Sequence, residues 1–345
     1  MTIWCSNDGT TWTDSGIAGA TAGTAQTITI SGAEFRYVRS IWTVAPLGSF
    51  TNSLTGADSI PILQAAQAAF PNGLWWIKDR ANNNQHQLVD SVRGGNLALQ
   101  CPTVGAETAY TAPDGNSVAW CWNYNDANPS VNGFEIIEQT IGNGNATINH
   151  QLGATPDFII SKCASGAAAS TNFRVYHTSV GVGQSLLLGS TDAASALGQR
   201  VSAVAATNFT YSMNVAGNSD MVFYAWRSIP GYSAFGTYSG SNTNDGNFSF
   251  LGFKPAFLLV KVINVGGAGT GSDWVIFDST RNPNNPTNTW LMPNDATAEG
   301  TDLVVDFLSN GFKCRDSSGQ LNGGGRNFVY AAFAQNPFQA PVTAR

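Results

Sequence analysis

The sequence predicts an all-β chain: tandem β-sandwich units of about 100 residues, preceded by an N-terminal β segment. Three observations predict it. The same apolar runs recur in the same order along the chain. Those runs are short, β-branched or aromatic, and separated by Gly, Asn and Ser punctuation. Charged residues are only 11% of the chain, so the Lys and Glu that build exposed helices are scarce.

Along residues 1–45 the phrases WCSNDGTTWTD, TAQTITISG and EFRYVRSIWT read as two or three antiparallel strands, too few for a stable domain alone. Residues 46–73 read as a connector in which PILQAAQAAF, at 61–70, forms a short helix after its proline. From Leu74 onward three elements recur. The first is LWWIK (74–78), FIISK (158–162) and FLLVK (257–261), whose lysines lie 84 (162 − 78) and 99 (261 − 162) residues apart. The second is HQLVDSVR (86–93), FRVYHTSV (173–180) and WVIFDSTR (274–281), which puts Asp90, His177 and Asp278 in equivalent places. The third is VAWCW (118–122), VFYAW (222–226) and VYAAF (329–333).

A fourth feature, a strand, an Asn/Gly turn and a strand, occurs at 133–153 and 232–252 only. The organisation that follows is an N-terminal β segment (1–45), a connector with an incomplete first repeat (46–132), and two complete sandwiches (133–230 and 231–345). The N-terminal segment is expected to complete or dock on the first repeat. Runs without alternating polar positions mark strands covered on both faces, so Trp76, Val89, Ile160, Val175, Leu259 and Ile276 are expected in the core.

Composition excludes several classes. Sixteen Lys and Arg against 22 Asp and Glu give a net charge of −6 without a basic run, which argues against nucleic acid and against a polybasic membrane patch. No apolar stretch reaches the ~18 residues of a spanning helix, so membrane insertion is not expected. The first residues show no secretory pattern. Cys5, Cys101, Cys121, Cys163 and Cys314 are odd in number and contain no CxxC pair, so they read as small buried hydrophobes rather than disulfides or zinc ligands.

Candidate chemistry is thin. His86, His150 and His177 show no metal-ligand spacing. Asp90, Asp278, Glu135 and Glu138 are the carboxylates a glycosidase could use, yet Glu135 and Glu138 fall on opposite faces of their strand. Asp90-Ser91 and Asp278-Ser279 fit a carboxylate bonding the turn backbone where a strand ends, or else a repeated ligand site. The loop 241–247 is oxygen-rich enough to suggest Ca²⁺ but lacks a terminal Glu, so a hairpin turn is the simpler reading. The glycine-rich 142–145 and 323–326 read as turns rather than phosphate loops. Sequons at Asn145, Asn208 and Asn247 carry no weight in so Asn-rich a chain. Trp75, Trp76, Trp120, Trp122, Trp226 and Trp274 could stack sugars but fall inside the repeated apolar runs. No catalytic residue, metal site or cofactor is assigned, and no ligand-binding residue is identified.

The phrases LWWIKDRANNNQHQLVDSVRG (74–94), GATPDFIISK (153–162), GYSAFGTYSGS (231–241), FKPAFLLVK (253–261), SDWVIFDSTRNPNNPT (272–287), DFLSNGFKCRDSSG (306–319) and FVYAAFAQNPF (328–338) resemble the repeat domain of tailed-bacteriophage virion proteins, tail-fibre-like or capsid-associated. Residues 6–41 resemble the closing strands of a discoidin-like, galactose-binding sandwich. The first resemblance implies a non-enzymatic virion component, first a tail fibre or other tail appendage. The alternatives are a head decoration protein, a carbohydrate-binding adhesin or a polysaccharide-degrading tailspike. The implied partners are other virion proteins, further copies of this chain and a host surface glycan. The implied location is the particle, after synthesis in the host cytoplasm.

Overall fold

The computed structural model describes the backbone of residues 2–6, 13–18, 37–41 and 50–52, and the whole of residues 62–113, 116–267 and 272–334. The chain divides into two compact units, Met1–Pro46 and Leu47–Arg345. In the first, β1 (Thr2–Ser6) pairs antiparallel with β2 (Thr13–Ala18) on one side and β3 (Tyr37–Ile41) on the other. The expected strand at 24–32 lies outside the described residues, as does the Cys5 side chain.

The second unit holds three repeats. The first comprises β4 (Phe50–Asn52), α1 (Ile62–Ala69), β5 (Gly73–Asp79), β6 (His86–Asp90), β7 (Leu97–Cys101), β8 (Thr108–Ala109) and β9 (Ser117–Asn123). A single helical turn, α2 (Pro129–Asn132), leads to the second. That repeat has β10 (Phe134–Ile141), β11 (Gly144–Asn149), β12 (Phe158–Gly166), β13 (Arg174–His177), β14 (Leu186–Leu187), β15 (Arg200–Val204), β16 (Asn208–Met213) and β17 (Ser219–Trp226). The third has β18 (Ser233–Ser239), β19 (Phe248–Phe250), β20 (Pro255–Val262), β21 (Trp274–Asp278), β22 (Trp290–Leu291), β23 (Val305–Leu308), β24 (Gly311–Cys314) and β25 (Asn327–Ala334).

Each repeat builds one large antiparallel sheet with the same strand order. These are β4-β9-β5-β6-β7-β8, β10-β17-β12-β13-β14 and β18-β25-β20-β21-β22. The registers coincide residue for residue. Trp76 faces Trp120, Ile160 faces Tyr224 and Leu259 faces Ala331, and one pleat on Lys78, Lys162 and Lys261 face Val118, Val222 and Val329.

In the second and third repeats a small sheet, β11-β16-β15 or β19-β24-β23, covers the outer face and closes a sandwich. Ile159, Cys163, Tyr176, Phe209, Tyr211 and Phe223 pack inside one, and Leu258, Val260, Phe277, Phe312 and Tyr330 inside the other. The strand position that β10 and β18 hold in their sheets is filled in the first repeat by β4 of the connector, paired with β9. The outer face of that sheet is closed by α1, whose Leu63 and Ala66, with Phe70, pack on Trp75, Ile77, Val89 and Ala119. One expectation is corrected here: the 241–247 loop is not a hairpin turn. β10 and β11, like β18 and β19, belong to different sheets, so the Asn/Gly turn carries the chain across the sandwich.

The inner faces of all three large sheets share one core. Alternation along each strand decides membership, so Leu74, Trp76, Phe158, Ile160, Phe257 and Leu259 point inward while Trp75, Ile159 and Leu258 point outward. At its centre Trp122, Trp226 and Phe333, one from each closing strand, form a triangle with ring centroids 5.7, 5.4 and 6.4 Å apart. Among the described residues no helix is long and apolar enough to cross a membrane.

Candidate functional site: the buried polar ring between repeats

Three of the residues that the sequence offers as chemistry, Asp90, His177 and Asp278, lie at the seams between neighbouring repeats. Asp90 ends β6 and is fully buried. Its Oδ1 accepts hydrogen bonds from the backbone N–H of Val92 (3.0 Å) and Arg93 (2.9 Å), which satisfies the turn. Its Oδ2 accepts from Arg93 Nε at 2.7 Å and from the Tyr224 hydroxyl of the second repeat at 2.8 Å. Asp278 repeats the design. Oδ1 holds the N–H of Thr280 (3.0 Å) and Arg281 (2.8 Å), and Oδ2 takes Arg281 Nε and the indole N–H of Trp120 in the first repeat.

His177 does the same work without charge. Its Nδ1 accepts from Ser179 N–H at 3.0 Å, which leaves Nε2 as the protonated nitrogen, donating to the Tyr330 carbonyl of the third repeat at 3.0 Å. Burial pushes its pKa down to about 4. Tyr224, Trp120 and Ala331 occupy one register position in the three closing strands. Where the neighbour presents an O–H or N–H at that position, the clasp is Asp; where it presents Ala, the clasp is a histidine reaching the adjacent backbone.

A second set of contacts follows the same cycle. Glu107 N–H donates to Ala164 O, Ala194 N–H to Ile263 O and Glu299 N–H to Arg80 O, at 2.9, 3.0 and 2.9 Å. Each acceptor lies two residues beyond the repeat lysine. The glutamates bind the clasp arginines, Arg93 to Glu107 at 2.9 Å and Arg281 to Glu299 at 3.3 Å. The Asp, Arg and Glu of the ionic joints become His177, Val180 and Ala194 in the second repeat, so the charges are removed together and none is orphaned.

The three lysines are buried at the same level and bond carbonyl oxygens only. Lys162 reaches Val104 O of the first repeat (3.2 Å) with Ala169 O and Thr171 O, and Lys261 reaches Thr191 O of the second (3.2 Å) with Ser272 O. Lys78 bonds Asp79 O (2.6 Å) and Asn82 O (3.0 Å). Burial brings the pKa of each down to about 8.

The other candidates fall apart from one another. Glu135 is buried and accepts from Gln151 N–H at 2.6 Å, while Glu138 is exposed on the opposite face. His150 packs on Phe209, and His86 accepts the indole N–H of Trp76 at 3.0 Å. In loop 241–247, Asp245 is ion-paired with Lys313 (2.7 Å) and Arg315 (2.6 Å). Among the described residues no group of three or more His, Cys, Asp or Glu is placed to hold a metal ion. All six candidate tryptophans are buried, as are the free thiols of Cys101, Cys121, Cys163 and Cys314. Arg93, Arg281, Glu107 and Glu299 were not singled out from the sequence; the Asp-Ser-x-Arg spacing shared by 90–93 and 278–281 was the available signal.

Comparison with known proteins adds a family. Residues 103–337 match the family model described as "Domain of unknown function (DUF7483)", and no curated protein matches. The match begins within the first repeat, so β5, β6 and β7 stand outside it although β9 pairs with β5 over seven positions.

Proposed function

We propose, for a chain that belongs to the DUF7483 family, whose function is unknown, that it is a non-catalytic structural component of a tailed phage particle, a tail fibre or tail-associated appendage. It acts by assembling with other virion proteins and with copies of itself. One observation carries the reading: the repeat histidine, aspartates and lysines are buried in a closed three-repeat body, where they bind backbone and neighbouring repeats. A neutral, polar, weakly charged surface suits a body that persists outside a cell, and the repeat phrases resemble virion proteins. The location is the particle.

The test is assembly. Deleting residues 1–46, which form a compact unit of their own, should reduce incorporation into particles, read by immunogold labelling, and leave the thermal unfolding of the remaining unit unchanged. Normal incorporation of the deletion variant, or release of reducing sugar from host polysaccharide by the purified protein, would overturn the reading. A second reading, a glycan-binding adhesin, is favoured by Phe250 of β19, 67% exposed beside a half-exposed Phe248. Glycan-array binding lost in Phe250→Ala would support it.

A further inference from the structure

Arg174 opens β13 on the same face as Tyr176, so its side chain enters the second sandwich rather than the shared core. Among the described residues it is the one arginine whose side chain makes neither a hydrogen bond nor an ion pair; its carbonyl accepts from the Ser161 hydroxyl at 3.4 Å. Arg80, Arg93, Arg281 and Arg315 meet carboxylates, and Arg200, Arg227 and Arg326 bond carbonyl oxygens. Its Nε is buried without a partner, and the residue as a whole is partly exposed, so the fork of the guanidinium reaches solvent. Burial lowers its pKa, with Tyr211 the one neighbour acting against that.

The three repeats show that the fold does not ask for a cation here. The register places Arg174 with Gln87 of the first repeat and Val275 of the third. Gln87 is bonded at both ends to the Thr111 backbone, and Val275 is buried in an apolar cluster. The difference extends to two neighbours. Ser161 stands where the third repeat has Val260, and Tyr211 where it has Cys314. Three groups that are apolar or thiol in one sandwich are thus a guanidinium and two hydroxyls in the other. The Ser161 and Tyr211 hydroxyls lie 3.2 Å apart, both buried. One strand beyond Arg174 the sheet ends, at β14 (Leu186–Leu187).

A part-buried guanidinium without a counter-charge costs solvation that nothing in the chain returns. We propose that Arg174, with the hydroxyls of Tyr211 and Ser161 behind it, is an anion-binding site on the second sandwich. It takes a carboxylate or phosphate oxyanion in the fork of the guanidinium. The site is independent of whether the chain is a virion component.

Melting the whole protein with sodium glucuronate or inorganic phosphate, each against sodium chloride at matched ionic strength, tests this. The expected result is a saturable rise of roughly 2 °C or more with at least one probe. The rise is absent in Arg174→Val and reduced in Arg174→Lys, which keeps the charge and loses the fork. Without anion, Arg174→Val melts at or above the wild-type temperature, as Val275 in the third repeat implies. A response by glucuronate alone identifies an acidic sugar as the ligand class, and one by phosphate alone a phosphoryl group. The proposal fails if Arg174→Val responds as the wild type does, if neither probe raises the melt, or if Arg174→Val alone melts several degrees lower.

Discussion

Asp278 is a carboxylate with no exposure that bonds two turn amides, one guanidinium and one indole. Asp278→Ala should therefore cost roughly 3–5 kcal/mol, because it takes from the buried Arg281 the nearer of its two carboxylates and leaves the Trp120 indole and two turn amides without their acceptor. Adding Arg281→Val, which removes the second charge as Val180 does in the second repeat, should recover part of that loss in chemical denaturation. The buried bases give a pH signature of their own. His177 titrates near 4 in the fold and near 6.5 unfolded, so the unfolded chain binds the extra proton between those values. Stability should fall as pH drops from about 6.5 to about 4, by roughly 3 kcal/mol for this residue, and His177→Gln should flatten that limb. The lysines act with the same sign at higher pH. Each titrates near 8 folded and 10.5 unfolded, so stability should rise as pH passes upward through 8. The cysteines oppose them above about 9, since burial raises thiol pKa values in the fold. Lys162→Met should remove part of the rise between 8 and 9; an unchanged slope would count against its buried ammonium.

At the scale of elements, the strands are held by their alternation, and the inward position of Ile160 predicts that Ile160→Ala costs about 2–5 kcal/mol in the same assay. Such positions were legible in the sequence because the repeats align. Trp76, Val89, Ile160, Val175, Leu259 and Ile276 all lie in the core, and Asp90 and Asp278 do bond the turns that follow them. What was not legible has a common cause. A period of two says which residues share a face but not what that face meets, so the donors from Tyr224 and Trp120 and the replacement of a sheet by α1 could not be read locally. An Asn/Gly turn likewise has the same composition whether its strands pair with each other or part to opposite layers.

At the scale of the molecule, the joint between the third and first repeats is the one without a connecting peptide. It is also the one with a bidentate ion pair across it, Arg80 to Glu299 at 2.9 and 2.7 Å. Double-mutant cycles with Arg80→Ala and Glu299→Ala should give a coupling of about 1 kcal/mol or more, above that of an exposed pair, since both side chains are largely buried.

That joint also sets an order of events during synthesis. Trp122 and Phe333 touch across the triangle yet lie 211 residues apart (333 − 122). At a ribosome's pace of roughly 5–20 residues per second, the indole waits some ~10–40 s for its partner to be made. Through that interval Trp226 and Phe257 can already pack on the first repeat's inner face, but the part that the last strand covers stays open, so safe completion depends on chaperones or on a slow collapse held in reserve. A chain truncated before Phe333 should be a client for degradation rather than a smaller working protein.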